Sequence, residues 1–401
     1  MPLARETKPK KKPVKRSGAK AVTVGKVARK ALAKPRASRV KKPLKKPIRG
    51  GMVQAQKIHP EFLRKHHGNP IIEPRPHLAW ESKATFNPGA VEVDGSVHLL
   101  YRAIGDNDMS VVGHAVSYDG LHIAERLDKP AYIPEVAHNL PVGPRPDGVY
   151  LSGGGWYGGS EDPRATKIGD RIYLTYTAFD GWGSVRVALS SISTEDFLKQ
   201  QWHWKKPVFL SPASEVHKNW VLFPEKINGK FVVLHSMSPK ILVNYVDNLD
   251  GFKEEEHAIS SHYDRHSGTG EWDSWVRGIG PPPIKTKYGW LLLYHAMDTS
   301  DPNRYKLGAM IVDLNDPTRI LYRSRIPVLE PEEWYENTGW KAGVVYACGA
   351  IVKDGILFVY YGGADAVVCV ATANLDDFVE QLKKEGAARL SPGPKAKPTI
   401  L

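Results

Sequence analysis

Residues 166–177, TKIGDRIYLTYT, decide the fold that the sequence predicts. A short β-prone run ends at a turn glycine, Gly169, and a second run rich in Tyr, Thr and Leu begins at Ile172. Glycine adopts the positive φ that tight hairpin turns need, and β-branched and aromatic residues favour strands. The stretch therefore predicts two antiparallel strands joined by a short turn.

The same hairpin unit occurs four more times. The other copies are residues 91–102 (VEVDGSVHLLYR), 227–235 (INGKFVVLH), 287–295 (KYGWLLLYH) and 352–361 (VKDGILFVYY). The five turn glycines follow one another at spacings of 74, 60, 60 and 66 residues. A near-constant period of this length fits one four-stranded blade with its loops. The sequence thus predicts an all-β fold, a five-bladed β-propeller over residues 55–385, with helices expected only at 60–66 and 376–385.

The positive charge of the chain is concentrated at its beginning. The net charge is +13, yet residues 1–50 hold nineteen Lys or Arg against one acidic residue, Glu6. Residues 1–51 are also rich in Pro and Ala, so they cannot bury enough apolar surface to offset the entropy of ordering. We expect a disordered basic tail over 1–51 and a C-terminal extension over 386–401. The tail could contact nucleic acid or another anionic polymer without sequence specificity, or act only as a spacer.

The two cysteines, Cys348 and Cys369, lie in apolar strand-like runs. They are expected to be buried thiols rather than a disulfide pair, as in a reducing compartment. The sequence contains no apolar run long enough for a membrane span and no secretory signal at its start, so a cytoplasmic location is expected. The neighbouring pair His66-His67 does not predict a metal site, because no further ligands cluster with it. A homo-oligomer remains open.

The candidate catalytic stretch is Gly159-Ser160-Glu161-Asp162-Pro163-Arg164, which follows a glycine-rich run. Successive residues of a strand point to opposite faces, so one carboxylate can face a cleft while the scaffold holds the other. A buried carboxyl group there could act as a general acid. Alternatively, Glu161 and Asp162 cap a turn and pair with Arg164.

A propeller would bring equivalent positions of its blades together at a central funnel. Polar side chains recur at two such positions. Arg102, Asp180, His235-Ser236, His295 and Asp365 follow the repeated strands, and Asn87, Asp162, Glu225 and Cys348 precede the hairpins. A purely structural propeller has no need of this pattern, so the convergence favours a site at Asp162. Trp156, Tyr157 and Trp182 could stack on sugars or pack between blades.

Six motifs in register resemble glycoside hydrolase family 130, the β-mannoside phosphorylases and related β-mannosidases. The motifs are Phe86-Asn87-Pro88-Gly89, Glu161-Asp162-Pro163-Arg164, Leu222-Phe223-Pro224-Glu225-Lys226-Ile227, Gly280-Pro281-Pro282-Pro283-Ile284, Tyr294-His295 and Tyr360-Tyr361-Gly362-Gly363-Ala364-Asp365. They span roughly residues 60–380. The family fold is a five-bladed propeller, which agrees with the independent repeat count.

The resemblance implies phosphorolysis of β-mannosides with inversion, giving mannose 1-phosphate, with no cofactor besides the co-substrate phosphate and no metal. Asp162 would be the general acid, acting through a hydroxyl of the bound mannose. The sugar-binding residues would be Asn87, Arg102, Glu161, Arg164 and Asp365. The phosphate-binding residues would be Lys218, Asn219, Ser236, Arg277, His295 and Tyr305.

Two positions depart from the family pattern: Lys218 and Ser236 stand where phosphorylases usually carry arginine. Lysine lacks the bidentate fork of arginine, and serine carries no charge. If the anion site has decayed, water would attack instead, and Glu225 or Asp365 would be the general base of a β-mannosidase. A third alternative is a non-catalytic sugar-binding propeller tethered by its basic tail.

Overall fold

The structure is a computed structural model that describes residues 61–133, 158–179, 185–213, 215–250, 252–253, 258–261 and 272–385. The predicted tail, 1–51, and extension, 386–401, lie outside these ranges, so both stay predictions. The described residues belong to one compact unit, 59–401. That unit is built mainly of β-strands, as the sequence predicts.

The strands form five consecutive groups of antiparallel neighbours. Group 1 is β2 (Ala84–Val93), β3 (Ser96–Ile104), β4 (Ser110–Ser117) and β5 (Glu125–Arg126), and group 2 is β6 (Gly159–Ile168), β7 (Arg171–Phe179), β8 (Val185–Ser193) and β9 (Val208–Phe209). One parallel pair, Ser110 with Gly159, joins these two groups into an eight-stranded sheet.

Groups 3 to 5 are separate sheets. Group 3 is β10 (Val221–Leu222), β11 (Phe231–Ser236) and β12 (Leu242–Val246), and group 4 is β13 (Trp275–Ile279), β14 (Ile284–Thr286), β15 (Gly289–Asp298), β16 (Asp301–Val312) and β17 (Ile320–Arg323). Group 5 is β18 (Val345–Lys353), β19 (Ile356–Gly363) and β20 (Val367–Asn374), completed by β1 (Arg64–Lys65). Arg64 pairs with Thr372, so the beginning of the described chain completes the sheet at its end.

Five apolar clusters link these groups in chain order and link the fifth group to the first. Representative members are Leu100 and Leu174 for groups 1 and 2, Leu189 and Val233 for groups 2 and 3, Leu234 and Leu292 for groups 3 and 4, Leu293 and Val359 for groups 4 and 5, and Tyr360 and Leu99 for groups 5 and 1. Both faces of each central strand are therefore buried. This burial explains why the repeated strands read as nearly continuous apolar runs.

The five predicted hairpins are present. The turn between β18 and β19 shows the geometry: Asp354 and Gly355 have φ values of 50° and 76°, the two positive values of a type I′ turn. Gly289 serves a different purpose, because a Cβ there would lie 2.2 Å from the carbonyl oxygen of Val312. Its missing side chain lets strands β15 and β16 approach.

Three helices occur in the described residues: α1 (Thr194–Leu198), α2 (Trp334–Asn337) and α3 (Leu375–Glu385). The predicted helix at 376–385 is confirmed by α3. The predicted helix at 60–66 is wrong, because Arg64–Lys65 forms β1 and the neighbouring Phe62 and Leu63 are both buried in the cluster of groups 4 and 5. No helix within the described ranges is long and apolar enough to cross a membrane.

Candidate active site

The first strand of four groups carries an irregularity at the same relative place. The register shifts between Phe86 and Gly89 in β2, between Glu161 and Arg164 in β6, between Val276 and Gly278 in β13, and between Ala347 and Gly349 in β18. Asn87 and Asp162 have φ values of 47° and 52° inside these bulges. A bulge redirects a side chain, and positive φ in a residue other than glycine is a strain that clusters at functional sites. The bulges therefore aim Asn87 and Asp162 towards a common point.

Asp162 lies in a buried hydrogen-bonded group. Its Oδ1 accepts from Asn87 Nδ2 at 2.8 Å and from Arg102 Nη1 at 3.2 Å. Burial by itself would raise the pKa of this carboxyl group, but the charges of Arg102, Lys218 and Arg164 outweigh burial and hold the pKa below its ordinary value. Asp162 is therefore a carboxylate in the ligand-free site.

Glu161 is fully buried beside Asp162 and faces two cations. Its Oε1 accepts from Arg102 Nη2 at 3.1 Å, and its Oε2 accepts from Lys218 Nζ at 3.1 Å. Arg102 also donates from Nε to Ser110 Oγ at 2.9 Å and lies over the Phe86 ring. One guanidinium thus holds both members of the predicted acidic pair, which fixes their relative position.

Arg164 does not form the simple turn-capping ion pair that the alternative interpretation required. It donates to the main-chain oxygens of Asp162 and Gly280, each at 2.8 Å, and to Asn219 Oδ1 at 2.9 Å. Tyr346 OH donates to the same oxygen of Asn219 at 2.8 Å. Arg164 therefore ties β6 to residues of groups 3, 4 and 5 and orients the Asn219 amide.

His295 is fully buried, and among the described residues neither ring nitrogen has a hydrogen-bond partner of good geometry, although the backbone of Ala347 lies close enough to act on its pKa. Its ring stacks on Tyr346 with 3.8 Å between centroids. Burial, followed by the charge of Arg164, lowers the pKa of His295 to about 3. His295 therefore adds no positive charge to an anion site. It is a neutral imidazole that could donate one hydrogen bond and accept another.

Asp365 completes the buried set from group 5, where it has a φ of 52°. Burial, with the neighbouring charges of Asp162 and Glu161, raises its pKa against the opposing charge of Lys341. Asp365 and Asp162 thus have pKa values displaced in opposite directions. Two carboxyl groups separated in this way are typical of acid–base sites.

Arg277 and Tyr305 lie on strands β13 and β16 of group 4. The Arg277 guanidinium lies over the rings of Trp275 and Tyr305, and the Lys341 ammonium lies 4.0 Å from the Tyr305 ring centroid. The main-chain oxygen of Arg277 accepts from Asn219 Nδ2 at 3.1 Å. These contacts connect the outer cations to the Asp162 group.

The structure does not bring Glu225 to the buried side chains around Asp162. Strand β10 ends at Leu222, and Pro224 leads the chain out of the sheet, so that Glu225 is half-exposed and ion-paired with Lys285. The position in group 3 that corresponds to Asp162 belongs to Asn219, which has a φ of 65°. Ser236 is buried and donates to the main-chain oxygen of Ser238 at 3.1 Å, within its own sheet.

Four of the predicted residues lie outside the described part of the chain, and two residues near the site were not predicted. Trp156, Tyr157, Asp180 and Trp182 lie outside the described residues. Tyr346 and Lys341 were not predicted, although Tyr346 stands two residues before Cys348 on the first strand of the last repeat, a position that could have marked it. The thiols of Cys348 and Cys369 are free and buried, as the sequence predicted.

The chain matches proteins that act on mannosides. A family model described as β-1,4-mannooligosaccharide phosphorylase, that of glycoside hydrolase family 130, matches residues 62–384. The chain belongs to glycoside hydrolase family 130. The predicted membership is confirmed, and the buried Asp162 group lies within the matched range.

Two characterised relatives and one solved structure match this family 130 chain over nearly their whole length. A 1,2-β-oligomannan phosphorylase of Thermoanaerobacter sp. (strain X514) is 36% identical over 322 residues, which are 79% of this chain and 98% of that protein. A β-1,4-mannooligosaccharide phosphorylase of Ruminococcus albus is 28% identical over 341 residues, 82% of this chain and 92% of that one. The solved structure of a β-1,2-mannobiose phosphorylase of Listeria innocua, in complex with β-1,2-mannobiose, has a TM-score of 0.60 and 27% identity, covering 80% of this chain and 99% of that chain.

Proposed function

We propose that this protein is a β-mannoside phosphorylase. The observation that carries the proposal is the buried group of Asp162, Asn87 and Arg102, with Lys218 beside it, in a family 130 chain that is 36% identical to a 1,2-β-oligomannan phosphorylase. The C1–O bond to the leaving sugar breaks while a C1–O bond to phosphate forms on the opposite face. The products are α-mannose 1-phosphate and a sugar shortened by one unit.

Asp162 is the proposed source of the proton that the leaving oxygen takes up, relayed by a hydroxyl of the mannose. Asn87, Arg102, Glu161, Arg164 and Asp365 surround that sugar. The bonds that Asn87 and Arg102 make to Asp162 support this assignment, because they would fix the carboxyl group relative to the ring.

Phosphate is the proposed co-substrate, held by Lys218, Asn219, Ser236, Arg277, His295 and Tyr305. Buried His295 supports this, because among the described residues its ring nitrogens have no hydrogen-bond partner of good geometry, and a phosphate oxygen could supply one. Negative charge placed near Lys218 and Arg164 would offset the cations that keep the pKa of Asp162 low. Binding of phosphate would then help Asp162 to hold the proton that it must deliver.

The proposed linkage is β-1,2. Two Thermoanaerobacter relatives named for β-1,2-mannosides are 36% and 34% identical to this chain, whereas the relative named for β-1,4-mannooligosaccharides is 28% identical. Hydrolysis as an alternative loses Glu225 as its base, because that side chain pairs with Lys285 away from Asp162. Asp365 is the remaining candidate base for a hydrolytic reaction.

The test is incubation of the full chain with β-1,2- and β-1,4-mannobiose, with and without phosphate. We expect α-mannose 1-phosphate, identified by NMR, only when phosphate is present, and faster turnover of the β-1,2 substrate. Free mannose released at the same rate without phosphate would overturn phosphorolysis. Binding of mannobiose without any turnover would support a non-catalytic propeller.

The proposed architecture is a closed five-bladed propeller, with the Asp162 group at its centre. The five apolar clusters support it, since they connect each strand group to the next and the fifth to the first. The pairing of β1 with β20 supports it further, because such a pairing ties the two ends of a ring together. A crystal structure with the five groups in an open row would refute this.

The basic tail and the location of the protein are separate proposals. We retain a cytoplasmic location, the possibility of a homo-oligomer, and sequence-independent contact of residues 1–51 with nucleic acid or another polyanion. The cluster of nineteen basic residues supports the last of these. Binding to duplex DNA should weaken steeply with salt and vanish when residues 1–51 are deleted, and equal binding by the truncated chain would refute the contact.

A further inference from the structure

The loop of residues 338–344, which follows helix α2, is fixed against the strand end that carries Asp365. The main-chain nitrogen of Lys341 donates to the carbonyl oxygen of Ala364 at 3.0 Å. A Cβ on Gly339 would lie 2.5 Å from the same oxygen, so only glycine allows the loop to approach this closely. The loop is thus held next to the buried site rather than free in solvent.

Neighbouring side chains of this loop differ in where they lie. The Lys341 ammonium lies 4.0 Å from the centroid of the buried Tyr305 ring, and its charge acts on Asp365. Trp340, one residue earlier, is 44% exposed. The loop therefore holds the main chain of Trp340 beside Ala364, the neighbour of Asp365, and leaves the indole ring partly exposed.

Exposure alone does not distinguish Trp340, since Trp334 is more exposed, but only Trp340 lies between two residues that are held against Ala364. A tryptophan gains stability mainly from the apolar area that it removes from water, and an indole that is nearly half exposed forgoes much of that gain. The flat face of an indole, however, suits the apolar C–H face of a sugar ring. Exposed aromatic surface beside a site is typical of ligand-binding surfaces.

We propose that Trp340 is a stacking platform for a mannosyl unit on the leaving-group side of the bond that is cleaved. This inference rests on the proposed function. Asp162 and Glu161 are buried, so the mannose that reacts lies inside the protein. The remaining sugars of the oligosaccharide must then extend towards the protein surface. The platform selects oligosaccharides of three or more units over the disaccharide, whose second sugar ends before it.

The experiment compares Trp340→Ala with the wild type and with Trp334→Ala as a matched control. Trp334 is 62% exposed on α2 and lies in the same region of the chain without a proposed role. With phosphate saturating, kcat/KM is measured for β-1,2-linked mannobiose, mannotriose and mannotetraose. Trp340→Ala should lose about five- to tenfold for the longer substrates and less than about twofold for mannobiose, the scale of one aromatic stacking contact. Trp340→Phe should recover most of the loss, and the KM for phosphate should not change.

Equal losses for mannobiose and mannotriose, or the same profile from Trp334→Ala, would overturn the platform. A melting temperature matched to the wild type separates the effect from misfolding. If the wild type turns over none of these sugars, the proposed function fails, and the platform is tested by binding alone. Quenching of tryptophan fluorescence by mannotriose that is weakened in Trp340→Ala would then support it, and unchanged titrations would refute it.

Discussion

The molecule contains two kinds of buried clusters of charged side chains, and they differ in how their members are arranged. Structural triads occur in groups 1 and 4, where a tyrosine, a carboxylate and an arginine bind one another. In group 4, Tyr294 OH donates to Asp273 Oδ2 at 2.7 Å, and Arg323 donates to both. In group 1, Tyr101 OH donates to Glu81 Oε2 at 2.8 Å, and Arg126 donates to both. The Asp162 group has the same ingredients in another arrangement.

The triads share further features that mark them as parts of the sheet. Trp80 stacks near Tyr101, and Trp272 stacks near Tyr294, with 6.4 and 6.3 Å between ring centroids. Gly113 and Gly308 on the adjoining strands leave room for the tyrosine rings. All three members lie on regular strands or just beside them. The triads therefore repeat as packing units and balance one acid with arginine and tyrosine donors.

The Asp162 group departs from this pattern in two ways. Asn87 and Asp162 come from bulges with positive φ, and buried side-chain atoms of Asn87 and His295 have no hydrogen-bond partner of good geometry among the described residues. Such unsatisfied groups carry an energetic cost that a bound ligand can remove. Buried charge alone does not identify a site in this fold. Unpartnered buried atoms alone do not identify it either, since they also occur at Thr166, Thr194 and His98, but at Asn87 such an atom coincides with a positive φ inside a bulge.

The sharpest test of the contrast is Asp162→Asn. We expect kcat for phosphorolysis to fall by about 10²–10⁴-fold, because the amide cannot deliver a proton. Stability should change less than in the group 4 triad, since Arg102 keeps its bond to the Glu161 carboxylate. Release of mannose 1-phosphate and the melting temperature measure the two effects. Turnover that survives the substitution would remove Asp162 as the acid.

The reciprocal change is Asp273→Asn in the group 4 triad. Removing one charge there leaves Arg323 buried without its carboxylate, which costs about 3–5 kcal/mol of unfolding free energy. The kcat of the remaining folded protein should match the wild type. Denaturant unfolding and activity corrected for the folded fraction check this. A loss of kcat with full stability would mean that the triad serves catalysis.

The sequence predicted much of this arrangement. The turn glycines located the hairpins, and the repeat placed Asn87 and Asp162 at one recurring position and Asp365 at the other. It misplaced Glu225, because the repeat pattern does not show that β10 ends at Leu222. It also could not show that His295 is neutral, since that depends on burial against Tyr346 and on the charge of Arg164. Local pattern fixes which strand a residue occupies, whereas its charge state depends on residues distant in sequence.

Phosphate should alter the pH dependence of the Asp162 group. Activity requires Asp162 to be protonated, and cations hold its pKa below the ordinary value, so kcat/KM for the mannoside should fall as pH rises. Saturating phosphate offsets those cations and should move the falling limb to higher pH. Profiles at low and saturating phosphate test this. Superimposed profiles would contradict the coupling.

The buried histidines extend the contrast to stability. His98 Nδ1 and His114 Nε2 lie 3.0 Å apart, and the rings of Phe197 and Trp202 contact His114. The two rings bond to each other within their own sheet, although His98 Nε2, like the nitrogens of His295, has no hydrogen-bond partner of good geometry among the described residues. Burial, followed by the charge of His98, lowers the pKa of His114 to about 3. His114 therefore contributes to packing only as the neutral imidazole.

The direction of the resulting pH effect follows from proton binding. Between about pH 6.5 and pH 3 the unfolded chain binds a proton at residue 114 that the folded chain does not, so stability is lost as pH falls through this window. Each such histidine contributes at most about 1.4 kcal/mol per pH unit.

His114→Phe should flatten the slope of unfolding free energy against pH by about one proton, and the surface control His77→Gln should keep the wild-type slope. Phosphate should leave the His114 contribution unchanged, because that pair lies outside the site, while it adds stability through the Asp162 group. A His114→Phe slope equal to that of the wild type would mean that the acid sensitivity of the fold arises elsewhere, with buried His295 the first group to examine.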